Sequence, residues 1–267
     1  MFECGDDQAQ GLRRLFARRT VQLVPVLSNP HAGGAARLLD GLCQAFAAQD
    51  LHVLVIDGMR PALRDAAGLA AALGAGRPLR PWTEAVDART MLLPAGDALQ
   101  AFAAGQRAAE PLFEALAQDE GAPDVILFHA DAALLAGLFM QRLVRPLVLC
   151  GDSAPSLTHA YAGLKLLVQH AGLRHHAVLL DTAAPQRELP VAASRLQQCA
   201  AEFLRARVEC AAIVCSNADG DARLARTLRE VSLALLQFAL PFALGEQHDA
   251  RWPSPQPPSV PQSPFAR

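Results

Sequence analysis

Aromatic side chains are scarce, at 5% of 267 residues, with two tryptophans and one tyrosine. Leucine, alanine and valine must therefore build the interior, and a hydrophobic content of 52% is enough for a substantial one. Neither sign of charge is in excess. A net charge of -2 excludes a global attraction to nucleic acid, although Arg13, Arg14, Arg18 and Arg19 form a local basic cluster. No uncharged apolar run is long enough to span a bilayer. Residues Met1 to Asp7 are acidic and lack the apolar stretch of a secretory signal, so a cytoplasmic location is expected. The six cysteines (Cys4, Cys43, Cys150, Cys199, Cys210 and Cys215) form neither a CxxC pair nor a zinc spacing. They read as small buried apolar residues in a reducing compartment.

What is present is alternation. Short apolar runs of strand length fall at 21–28, 52–56, 91–94, 125–128, 147–150, 176–180 and 210–214. Between them lie segments of helical pattern at 35–48, 62–73, 97–116, 132–143, 156–170, 192–205 and 222–240, the last stopped by Pro241. Pro25 sits inside the first strand and counts against it, because proline removes a ladder donor. The order predicts an α/β fold: a single doubly wound, mainly parallel sheet with helices on both faces. It divides the chain into an N-terminal segment at 1–19, one α/β domain at 20–246 and a tail at 247–267. Six prolines between Pro253 and Pro264 predict that the tail stays outside the fold.

Ligands of open parallel sheets sit beyond the carboxyl ends of the strands, so the loop from Ser28 to Ala36 is the first candidate site. Gly33 and Gly34 give it backbone freedom, and the following helix offers free N–H groups. A working phosphate-binding loop also needs a lysine for the β/γ-phosphates and a Ser/Thr for magnesium. The loop contains no lysine and no threonine.

The segment Ser28-Asn29-Pro30-His31-Ala32-Gly33-Gly34-Ala35-Ala36, continued to Val55-Ile56-Asp57, resembles the opening βαβ unit of ParA/MinD ATPases. By that resemblance Pro30 lies at the family's signature lysine, Ala35 at its P-loop lysine and Ala36 at its magnesium-binding threonine. Gly34 matches a family glycine, and Asp57 matches the aspartate ending the second strand, while Met59 stands at the next aspartate. Asp124 to His129 resembles the Walker B strand, with His129 at its aspartate. His129 is either a ligand or base, or a former site position that has drifted; Asp131 is a second candidate for the missing carboxylate. The stretch from Val148 to Tyr161 resembles the strand-to-helix passage that follows Walker B, with Thr158, Ala160 and Tyr161 matching and His159 in place of an aspartate. Losing the lysine and the magnesium ligands removes much of what phosphoryl transfer needs, so no ATP or magnesium cofactor is expected.

The N-terminal stretch Asp7-Gln8-Ala9-Gln10-Gly11-Leu12-Arg13 matches the DQAxxLR activator motif of the FlhG (FleN)-type flagellar-number regulators in that family. The resemblance implies contact through Asp7, Gln8, Ala9, Leu12 and Arg13 with FlhF, a GTPase of the signal-recognition-particle type. It also implies a second partner, the master regulator FleQ; direct nucleic-acid binding is not expected at a net charge of -2. Relatives dock on membranes through a C-terminal helix. Here the basic-then-apolar segment 222–240 either packs on the sheet, the preferred reading, or lies on an anionic membrane surface. Two other readings are a deviant but active ATPase and another accessory of the same superfamily, in cellulose synthesis or septum placement.

Overall fold

The computed structural model describes residues 20–105, 108–117, 123–183, 191–218 and 220–243. The N-terminal motif and the proline-rich tail lie outside the described residues. The order of elements is β1 (Thr20–Leu27), α1 (Ala35–Ala47), β2 (Val53–Asp57), α2 (Ala66–Gly74), a 3-10 turn (Arg80–Trp82), β3 (Glu84–Ala85), β4 (Thr90–Pro94), α3 (Gly96–Ala104), α4 (Glu110–Ala117), β5 (Val125–Ala130), α5 (Ala132–Leu138), β6 (Leu147–Gly151), α6 (Ala154–Ala171), β7 (His175–Asp181), α7 (Val191–Leu204), β8 (Arg207–Val214), α8 (Asp221–Leu236) and β9 (Leu240–Ala243).

Every residue of β2 and β6 is buried, the mark of strands covered on both faces. The sheet runs β3-β4-β2-β5-β1-β6-β7-β8. It is parallel apart from β3 on β4 and from β9, which pairs antiparallel with the start of β1. Side chains alternate between two apolar layers. Val24 and Val26 join Leu38, Leu42 and Phe46 of α1 and Leu224, Leu228, Val231 and Leu235 of α8. Leu23 and Leu27 face the larger layer built by α2 to α7. Gly41 allows close contact between α1 and α8, because a Cβ there would overlap Leu228. The apolar stripe of α8 is thus spent on the core. No helix among the described residues is long and apolar enough to cross a membrane.

Pro25 fits for a reason of register. The N–H groups of Gln22 and Ser28 donate to Asp124 and Ala130, so even-numbered residues of β1 face the β5 side. Pro25 turns its missing N–H to the other edge. There β9 pairs as far as Leu23 and β6 begins at Val26. The proline occupies the fork between two partners.

Four predicted helices are shorter than expected or divided. Residues 97–116 form two helices, because Gly105 closes α3 and Pro111 sits in the first turn of α4, where a missing N–H costs nothing. Segment 132–143 stops at Leu138: Phe139 turns into an aromatic cluster, and Gln141 takes φ 56°. Segment 222–240 stops at Leu236, and Pro241 lies within β9. The helix expected from residue 62 starts at Ala66, capped by the Asp65 side chain on the Gly68 N–H.

Candidate functional site

The loops after β1, β5 and β6 lie side by side because those strands are neighbours in the sheet. Asn29 and Ser156 fasten two of them. Asn29 is buried, and its Nδ2 donates to the Ser156 backbone carbonyl at 3.0 Å and to its Oγ at 2.9 Å. Its Oδ1 accepts the His31 N–H, and Ser156 Oγ also accepts the Gly151 N–H at 2.7 Å. Asn29 is therefore committed to the scaffold. His31 stands edge-on to His159, with ring centres 5.7 Å apart. Pro30 and Gly33 are exposed, and a Cβ on Gly33 would meet nothing within 4 Å.

Gly34 is constrained. It precedes α1, and a Cβ there would overlap Asp181 Oδ2 and Ser216 Oγ. Asp181, at the end of β7, is held by the Ser216 N–H at 2.8 Å and the Ser216 hydroxyl at 2.7 Å. A carboxylate thus lies against the N-terminal end of α1. A helix start favours anions, and here one of the chain's own side chains occupies that neighbourhood. The first positions of the helix, Ala35 and Ala36, present only methyl groups. The chain's one lysine, Lys165, is exposed on α6, about 16 Å along the axis from the helix's first residue at roughly 1.5 Å per residue.

On the other side of the loop, β2 and β5 place Asp57 directly opposite His129. Asp57 Oδ1 lies 3.2 Å from His129 Nδ1 and accepts the Met59 N–H at 3.0 Å. The two side chains are 12% and 16% exposed, so the pair is largely shielded from water. Burial opposes ionisation of Asp57. The hydrogen bonds from His129 and Met59, with the charges of His129 and Arg60, outweigh it and hold the carboxyl below its ordinary value. Met59 Sδ accepts the Ser28 hydroxyl at 3.1 Å. Asp131 is employed elsewhere, capping α5 with its Oδ1 on the Leu134 N–H.

These residues open onto a cavity of about 740 Å³ along α1. Its lining carries Asp40, Asp57 and Asp87 against one arginine, Arg60. Cys43 reports the same field: burial, then Asp40 and Asp87, push its thiol up to about 12. The charged groups of this lining are predominantly acidic. No group of three or more histidine, cysteine, aspartate or glutamate side chains among the described residues could hold a metal ion.

The sequence brought Asn29, Gly34, Asp57 and His129 into view, and the fold gathers them. Asp181 and Ser216 escaped notice, although applying the strand-end rule to β7 and β8 would have reached both.

The Asp57–His129 pair has a testable signature. Because the folded carboxyl is held low, its contribution to stability is complete above the unfolded carboxylate range and disappears as pH falls through the folded value. In His129→Ala the Asp57 titration, followed by carbon-detected NMR, is expected to move upward. The stability gap to the parent should be full at neutral pH and close in acid. An unmoved titration would show that the pair is not coupled.

No family model matches the chain, and no curated protein matches it. Solved structures do. MinD from Aquifex aeolicus is 14% identical, with 83% of this chain and 100% of that one covered and a TM-score of 0.53. Cobyrinic acid a,c-diamide synthase from Mycobacterium smegmatis, solved with an ATP analog and magnesium, is 18% identical over 84% and 100%, with a TM-score of 0.56. A plasmid partition protein from Borrelia burgdorferi is 10% identical over 80% and 98%, also at 0.56. At these identities the likeness shows the fold: a mainly parallel, helix-flanked sheet of the ParA/MinD P-loop ATPase type.

Proposed function

We propose that this chain is a regulatory protein that keeps a ParA/MinD-type scaffold without its ATPase chemistry, and that it acts as an FlhG (FleN)-type regulator of flagellar number or placement. The observation that carries the first half is the Asp57–His129 pair. At the positions where the family resemblance implies two carboxylates for magnesium, one carboxylate is paired with an imidazole. Ala35 and Ala36 leave the neighbouring loop without a phosphate cation or a metal hydroxyl. ATP and magnesium are accordingly not expected as cofactors, and the loop serves as scaffold.

The second half rests on residues 7–13. Asp7, Gln8, Ala9, Leu12 and Arg13 match the activator motif, which the resemblance implies is a docking segment. Gln8 inserted at a GTPase site would help orient the attacking water, and Arg13 would pair with acidic or phosphate groups. FlhF is the expected partner, with FleQ as a second. The place of action is the cytoplasm, at the inner face of the membrane or the cell pole. With the apolar stripe of α8 buried, membrane contact has to come from elsewhere or through a partner.

GTP turnover by the cognate FlhF, measured alone, with this protein and with its Gln8→Ala variant, tests the reading. Stimulation by the parent that disappears in the variant is expected. An intact protein that leaves FlhF turnover unchanged sinks the FlhF role.

A further inference from the structure

At the amino ends of β6, β7 and β8, opposite the loop site, lies a second cavity of about 590 Å³. Four arginines line it: Arg142, Arg145, Arg174 and Arg207. Glu209 is the one carboxylate in its lining among the described residues. Arg145 and Arg207 both lean on that carboxylate, at 2.6 Å and 2.5 Å. Arg142 pairs with Glu110. Among the described residues the Arg174 side chain donates to the Leu204 carbonyl alone, at 3.3 Å. Among the described residues four guanidinium groups thus share two carboxylates, an excess of two positive charges around one opening.

The rim is apolar. Phe238 is 47% exposed and Leu143 is 50% exposed. The Arg145 guanidinium covers Phe238 at 4.8 Å from the ring centre. His176, behind the same lining, is fully buried. Its Nε2 lies 2.8 Å from the Leu173 carbonyl, which can only accept, so Nε2 carries the proton. Nδ1 has no partner among the described residues. Burial pushes this histidine down to about 4, so it is neutral at physiological pH.

We propose that this cavity binds a small organic phosphate monoester, with the phosphate on Arg174, Arg145 and Arg207 and the organic part on Phe238 and Leu143. The charge matches, since a phosphate monoester carries about -1.5 to -2 at pH 7 and presents three acceptor oxygens. Guanidinium forks suit those oxygens in pairs. The exposed apolar rim favours an ester over free phosphate. The site is independent of the flagellar reading, because it shares no residue with the loop or with the N-terminal motif.

Calorimetric titration of the full chain with phenyl phosphate, and separately with inorganic phosphate, tests it. Phenyl phosphate should bind more tightly than inorganic phosphate. Arg174→Gln and Arg207→Gln should each weaken it by roughly tenfold or more, the loss expected for a charge-assisted hydrogen bond. Both side chains are at the surface, so the variants should keep the parent's thermal midpoint. His129→Ala should leave binding unchanged. Absence of binding, affinity indifferent to both arginines, or affinity that responds to His129→Ala instead would overturn the proposal. Equal affinity for inorganic phosphate would overturn the role of the apolar rim.

Discussion

Incubated with ATP and magnesium, the purified chain is expected to release phosphate no faster than buffer alone. In-line phosphoryl transfer leaves little covalent work to a protein; it is positioning and charge stabilisation. A single preorganised donor aimed at developing charge is worth about 10²–10³ in rate, so losing several together is prohibitive. The loop carries alanine at positions 35 and 36, with neither a lysine nor a hydroxyl there. Asp57 is tied to His129 and Met59. Asp40, Asp57 and Asp87 line one side of the loop, and Asp181 stands against Gly34 on the other. For that reason Ala35→Lys alone is expected to leave hydrolysis at the blank: it returns one cation to a site that still lacks a metal ligand set. Continuous phosphate-release measurement checks both proteins. Turnover by the parent that is abolished in Asp57→Asn would show a working, differently built ATPase.

The largest expected loss of stability follows Phe113→Ala, at about 3–5 kcal/mol by the usual cost of emptying a buried phenylalanine site. Phe113 is 1% exposed and sits at the centre of an aromatic cluster. Its ring lies 5.8 Å from Phe128, 5.7 Å from Phe139 and 5.7 Å from Phe242. Those residues come from β5, the end of α5 and β9, so one side chain joins three separate elements. Offset and edge-on ring pairs add roughly 0.5–1.5 kcal/mol each beyond burial. A domain typically has about 5–15 kcal/mol in all, so this single truncation removes a large share of it. Urea unfolding should show a lower midpoint with an unchanged slope. Phe113→Leu, which keeps much of the volume, should lose far less. A midpoint within experimental scatter of the parent would show that the cluster contributes little.

The sheet was legible in the sequence because buried parallel strands are uninterrupted apolar runs. The runs read at 52–56 and 147–150 fall within one residue of Val53–Asp57 and Leu147–Gly151. Pro25 argued against β1 only while its two partners on one edge were unknown. The helix boundaries failed where apolar residues continue past the helix end. Phe238, Leu240 and Phe242 prolong the apolar character of α8, but they belong to a turn and to β9. Pro111 carried enough information to split the segment at 97–116, since a proline is at home in a first turn and not in an interior. The loop site was legible through substitution against a known template, which drew attention to Ala35, Ala36, Asp57 and His129. The same template hid Asp181. Nothing in the stretch Leu180-Asp181-Thr182 announces that its carboxylate meets Gly34, some 147 positions earlier in the chain. That contact exists only once β7 and β1 share a sheet. The arginine cavity was invisible for the same reason: Arg145, Arg174 and Arg207 are scattered in sequence and meet only at the amino ends of neighbouring strands.

The claim that the loop site no longer serves a nucleotide is tested most directly by equilibrium calorimetry with ATP and magnesium on the full chain. The expected result is no saturable heat up to about 1 mM ligand, a threshold near -4 kcal/mol of binding free energy. Saturable binding at roughly 10 µM or tighter, abolished by Asp57→Asn, would contradict it.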